Sequence, residues 1–113
     1  MQVQPVAQGA ENPFFPGVTG RITLSGNSLM AFYVELAPDS IVPKHNRPHE
    51  QMGICLQGTV LFQGDTASYT VTQGMTYFIP AYEYQSVQNT GIIPARLLDF
   101  FSPPRDDYLA KIS

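Results

Sequence analysis

Residues 43–58, Pro43 to Gly58, read P-K-H-N-R-P-H-E-Q-M-G-I-C-L-Q-G. The stretch opens polar and irregular, with His45, Arg47, His49 and Gln51 close together, then passes into an apolar strand pattern that ends at a Gln57-Gly58 turn signal. The same punctuation recurs on both sides. Gly26-Asn27, Gly64-Asp65, Gln73-Gly74 and Asn89-Thr90-Gly91 mark further turns, and β-branched and aromatic residues enrich 29–36, 53–62, 66–72, 75–79, 84–88 and 95–101. Many short strands bounded by such turns predict an all-β sandwich or barrel, a jelly roll being one option. Only Asp106 to Ile112 carries a helical period; after Pro103-Pro104 it predicts one or two helical turns, with Asp106 and Asp107 near the positive end.

Composition narrows the class. A chain of 113 residues is read as one domain at 17–113 preceded by an arm at 1–16, long enough to bury roughly 65% of its unfolded surface without disulfides. Charged residues make up 13%, against about 25% in average domains, so a partner subunit is expected to cover part of the surface. A net charge of −3 with six scattered Lys and Arg argues against nucleic acid. The single Cys55 has no internal disulfide partner and reads as a buried core thiol. With no apolar run near the roughly 18–20 residues of a membrane span and no leader-like N-terminus, a soluble cytoplasmic protein is the expectation. The arm, ending in Phe14-Phe15 between two prolines, either packs on its own barrel or crosses to a second subunit.

The chain resembles the cupin family. His45, Arg47, Gln51 and Gly58 fall on the first cupin motif, and Gly74, Pro80, Gln85 and Asn89 on the second. Gly17-Val18-Thr19-Gly20-Arg21, Pro48-His49-Glu50-Gln51 and the closing run from Leu98 through Ser102-Pro103-Pro104-Arg105 to Leu109 resemble the small single-domain cupins that include the pectin-degradation, uronate-linearising type. The resemblance implies a double-stranded β-helix jelly roll, RmlC-like, with a short C-terminal helical turn, usually a homodimer. It also implies a divalent metal at the positions of His45, Arg47, Gln51 and Gln85, and substrate contacts at Asp99, Phe101 and Arg105.

Two of those four metal positions depart from the family pattern. Arg47 and Gln85 stand where imidazoles are usual. A guanidinium has no lone pair to offer, and a neutral amide oxygen is a poor ligand for first-row metals. A divalent ion about 4 Å from a guanidinium meets repulsion of about 8 kcal/mol at an effective dielectric near 20. No metal is therefore expected. If one binds, nickel, manganese, iron or zinc would use His45, Gln51 and Gln85, with His49 as a replacement donor. Arg47 would instead supply the positive charge where an oxyanion develops. His45 would transfer protons, Asp99 would act as a second acid or base, Arg105 as an anion contact, and Gln51, Gln85 and Phe101 as substrate-binding residues. Simpler roles compete: a His45–Gln51 hydrogen bond, Arg47 in solvent or paired with Glu50, and an Asp99–Arg105 ion pair.

The leading expectation is a non-redox isomerase, cyclase or lyase on a small oxygenated substrate, such as a sugar acid or polyketide-like compound. The alternatives are a ligand-binding cupin without catalysis and a metal-dependent isomerase or dioxygenase.

Overall fold

The computed structural model describes residues 1–112 as ten strands and one helix. The strands are β1 (Asn12–Phe15), β2 (Val18–Ser25), β3 (Met30–Leu36), β4 (Ile41–His45), β5 (Glu50–Gln57), β6 (Thr59–Gln63), β7 (Ser68–Thr72), β8 (Thr76–Ile79), β9 (Gln85–Asn89) and β10 (Ala95–Ser102), followed by α1 (Asp106–Ile112). They form a six-stranded sheet in the order β1-β2-β3-β10-β5-β8 and a four-stranded sheet in the order β4-β9-β6-β7. Every pairing is antiparallel, so side chains alternate between the interior and the outer faces. This is the all-β jelly roll that the sequence predicts. Among the described residues no helix is long and apolar enough to cross a membrane.

Three strands lie outside the segments picked by their apolar enrichment. β2 carries Gly20, a weak strand former, but a Cβ there would fall 2.3 Å from Phe32 Cζ, so the glycine makes room for an interior ring. β4 contains Pro43 and is an edge strand, where a missing N–H costs no ladder bond. β1, with Pro13, is another short edge strand and belongs to residues 12–15 of the expected arm. The arm lies on its own barrel: Arg21 donates to Ala7 O and Gly9 O, and Thr23 Oγ1 to Val6 O at 2.7 Å. The apolar segment 53–62 divides into β5 and β6 at Gly58, whose φ of 85° suits a residue without a Cβ.

The interior is graded along the barrel axis. One half is apolar, built from Leu36, Cys55, Val60, Ala95 and Leu97, with Cys55 fully buried as expected. Asn89 closes that half, donating to Leu36 O and Ile93 O at 2.9 Å each and accepting from Gly91 N–H. Farther along the same strands the inward positions turn polar. Register sets Gln51 opposite Phe101, Gly53 opposite Asp99, and His45 opposite Gln85. The helix α1 then folds back over this polar end, with Tyr108 stacked at 4.4 Å on Phe32 and edge-on to Phe14 and Phe101.

Candidate functional site

The polar end encloses a cavity of about 50 Å³, lined by His45, Arg47, Gln51, Gln85, Asp99 and Phe101 together with apolar side chains from both sheets. Six of the seven residues singled out in the sequence thus share one wall-to-wall space. The seventh, Arg105, lies outside it behind Phe101, its guanidinium carbon 5.0 Å from that ring.

Asp99 is the centre of the arrangement. It is 5% exposed, and it accepts hydrogen bonds from Tyr77 Oη and from the Gln51 side chain. Burial pushes its carboxyl up to about 6, against the downward pull of those two bonds. Tyr77 holds its own proton far more tightly than a free phenol, through burial first and the Asp99 charge second. The pair is made possible by a glycine. Gly53 lies between them in register, opposite Tyr77 on β8 and opposite Asp99 on β10. With no Cβ in the way, the Tyr77 ring crosses over Gly53 and reaches a carboxylate two strands away.

Tyr77 is a site residue that the sequence reading did not pick out; in Thr-Tyr-Phe-Ile it looks like ordinary core. The available signal was Gly53, since a glycine inside an apolar strand marks close approach of another group.

His45 sits across the cavity. Its Nδ1 donates to Pro43 O at 2.7 Å, which leaves the lone pair on Nε2, 3.3 Å from Gln85 Nε2. Burial lowers its basicity, the Pro43 bond raises it, and the Arg105 charge lowers it further. The hydrogen-bond partner of His45 is therefore Gln85 rather than Gln51, which is engaged with Asp99. Gln85 Oε1 is buried without a partner among the described residues.

Arg47 lines the cavity from its rim, with its guanidinium carbon 5.9 Å from the Tyr108 ring centroid and its Nε buried without a partner. It makes no ion pair with Glu50 among the described residues. Its backbone is pinned instead: Tyr82 N–H donates to Arg47 O at 2.7 Å, and Asn46 Nδ2 to Tyr82 O at 3.0 Å. This strap joins the β4–β5 and β8–β9 loops across the barrel mouth. Arg105 is buried at 3% exposure, and it pairs through Nε and Nη2 with Asp107 rather than with Asp99.

A divalent metal does not fit this donor set. His45 is the one imidazole in the cavity, the carboxamide oxygens of Gln51 and Gln85 are weak ligands for first-row metals, and Arg47 brings a fixed cation to the same space. Among the described residues no group of three or more His, Cys, Asp or Glu could hold a metal ion. What remains is one imidazole, two carboxamides and a carboxylate facing a guanidinium. Such a set can move protons and stabilise negative charge on oxygen.

Comparison with known proteins agrees with this picture at the level of fold. The cupin domain family matches residues 32–101. KdgF from Halomonas sp. superposes with a TM-score of 0.87 at 20% identity, covering 96% of this chain and 98% of that one. An RmlC-like cupin from Shewanella frigidimarina gives 0.81 at 21% identity, over 89% of both chains. The polyketide cyclase RemF from Streptomyces resistomycificus gives 0.81 at 17% identity, over 94% of this chain and 82% of that one. No curated protein matches the chain.

Proposed function

The chain belongs to the cupin domain family, and from that premise we propose that it is a non-redox enzyme of the isomerase, cyclase or lyase type, acting on a small oxygenated substrate such as a sugar acid or a polyketide-like compound. The observation that carries this reading is Asp99, a buried carboxyl with its pKa near 6 and no cation paired to it, facing His45 and Arg47 across one cavity. A structural carboxylate gains by pairing with a cation. A group kept near the working pH is suited to taking and returning a proton.

In this scheme Asp99 abstracts a proton from carbon next to a carbonyl. The C–H electron pair forms the new C=C bond, and the carbonyl pair moves onto oxygen, giving an enolate. Arg47 offsets that charge, and Gln51 and Gln85 orient the polar groups. Return of the proton at a different atom completes a tautomerisation; departure of a β-substituent completes an elimination. His45 Nε2 is placed to exchange the second proton, and Phe101 walls the ring or chain of the substrate. No electron acceptor is needed.

The test is solvent deuterium incorporation into a panel of enolisable sugar acids and polyketide-like ketones, followed by NMR. Wild type should exchange at least one of them, faster as pH rises through about 6, and Asp99→Asn and His45→Ala should lose this activity while melting as cooperatively as wild type. Saturable stabilisation by a panel compound without any exchange would assign the protein to ligand binding instead.

A homodimer is part of the same proposal. On the outer face of the six-stranded sheet, Phe100, Met52 and Phe78 are direct cross-strand neighbours, and all three are exposed, Met52 by 59%. A second copy packing there would cover the row. Sedimentation should give a dimer for wild type and a monomer for Met52→Glu; a monomeric wild type removes the proposal.

A further inference from the structure

Outside Arg47 the barrel mouth opens into a basin of about 490 Å³, lined among others by Phe14, His49, Arg105, Tyr108 and Lys111. Three buried donors there have no hydrogen-bond partner among the described residues: Arg47 Nε, His49 Nδ1 and Arg105 Nη1. Buried polar groups are almost always paired, and each exception calls for a ligand, an ion or a water to complete it. All three orphans are N–H donors or can serve as such, so the missing partner is an acceptor.

Charge points the same way. The Arg47 and Arg105 guanidinium carbons lie 5.9 and 3.7 Å from the centroid of the one Tyr108 ring, so less than 10 Å separates the two cations. Lys111 adds a third, 5.1 Å from Phe14 at the rim. Against them the basin lining has, among the described residues, a single carboxylate, Asp107, whose side chain is 61% exposed. Among the described lining residues the basin carries an excess of two positive charges, leaving His45 and His49 aside, in a chain whose net charge is −3.

We propose that this basin is a binding site for a small dianion, a phosphate monoester head or a dicarboxylate, held by Arg47, His49 and the free edge of Arg105, with Lys111 at the rim. Two negative charges match the local excess, and an oxyanion offers acceptors to three donors arriving from different sides. This site rests on the function proposed above and extends it to substrate class. The cavity beside Asp99 is smaller than the roughly 300–1,000 Å³ usual for ligand pockets, whereas the basin falls within that range. The charged head of the substrate then stays outside, and only its reacting carbon and carbonyl pass Arg47 toward Asp99. Asp107 occupies the Nε–Nη2 edge of Arg105 and acts there as a competing internal carboxylate.

Inorganic phosphate and malonate, titrated calorimetrically into the full chain at constant ionic strength with acetate as the monoanion control, test the site without reference to turnover. One site per chain is expected, with a dianion binding about tenfold tighter than acetate. Phosphate alone or malonate alone would support the site and identify the preferred head group. Arg47→Gln and the surface variant Lys111→Gln should each weaken binding several-fold, Asp107→Asn should tighten it, and the interior variant Asp99→Asn should leave it unchanged. Absence of saturable binding by both dianions, or equal affinity in wild type and Lys111→Gln with Arg47→Gln also unaffected, would overturn the proposal. Because Asp99→Asn removes the proposed chemistry but spares the basin, failure of one reading is distinguishable from failure of the other.

Discussion

Asp99→Asn is expected to make the protein more stable at pH 8, by up to about 3 kcal/mol, while abolishing proton exchange on its substrate. Below about pH 4 both folded and unfolded chains hold the Asp99 proton, so variant and wild type should be equally stable. Between about 4 and 6 the unfolded chain releases that proton while the folded one, with its carboxyl near 6, retains it. Stability of the wild type therefore falls as pH rises through this window, and the full deficit is present above it. Asparagine carries no charge to desolvate and still offers Oδ1 to the Tyr77 hydroxyl. Denaturant titrations at pH 4 and pH 8 check the claim. A variant less stable than wild type at pH 8 would mean that the ionised carboxylate holds the fold together, and its reading as a poised acid–base group would fall.

Gly53→Ala should damage the same centre from the other side. A Cβ on Gly53 would stand 2.4 Å from Tyr77 Cε2, Cζ and Oη, well inside contact distance. The ring is packed in the interior against Phe62, with centroids 4.6 Å apart, so it has little freedom to retreat. Overpacking together with loss of a hydrogen bond to a charged group is expected to cost about 2–4 kcal/mol. The pH limb of activity should also move above 6, because Asp99 loses a bond that favours its ionised form. Equal stability and an unmoved limb in the variant would show that Tyr77 does not tune Asp99.

Much of the barrel is legible in the chain because turns and strands alternate at short range. β3, β7, β8, β9 and β10 coincide within two residues with apolar segments between Gly and Asn signals. The strands that escape notice contain the residues a strand tolerates only for a local reason: Gly20 beneath a phenylalanine ring, and Pro13 and Pro43 on sheet edges. The site is legible to a similar depth. His45, Gln51, Gln85, Asp99 and Phe101 converge because strand periodicity sends each of them inward. Partnerships are another matter, since they depend on pairs up to 40 residues apart. His45 bonds Gln85, and Arg105 turns to its near neighbour Asp107 instead of Asp99, distinctions that no local pattern encodes. The backbone of Arg47 is pinned by the Tyr82–Asn46 strap in a stretch without strand periodicity, and room for Tyr77 is made by a glycine on the adjacent strand.

The proposed chemistry depends on a guanidinium and a buried carboxyl acting where the family resemblance implies a metal. The most direct measurement combines elemental analysis of tag-free protein with the deuterium-exchange assay on that same preparation, before and after exhaustive chelation. The prediction is nickel, manganese, iron and zinc far below one ion per chain, with exchange undiminished by the chelator. Near-stoichiometric metal whose removal abolishes exchange, and whose return restores it, would contradict the central claim.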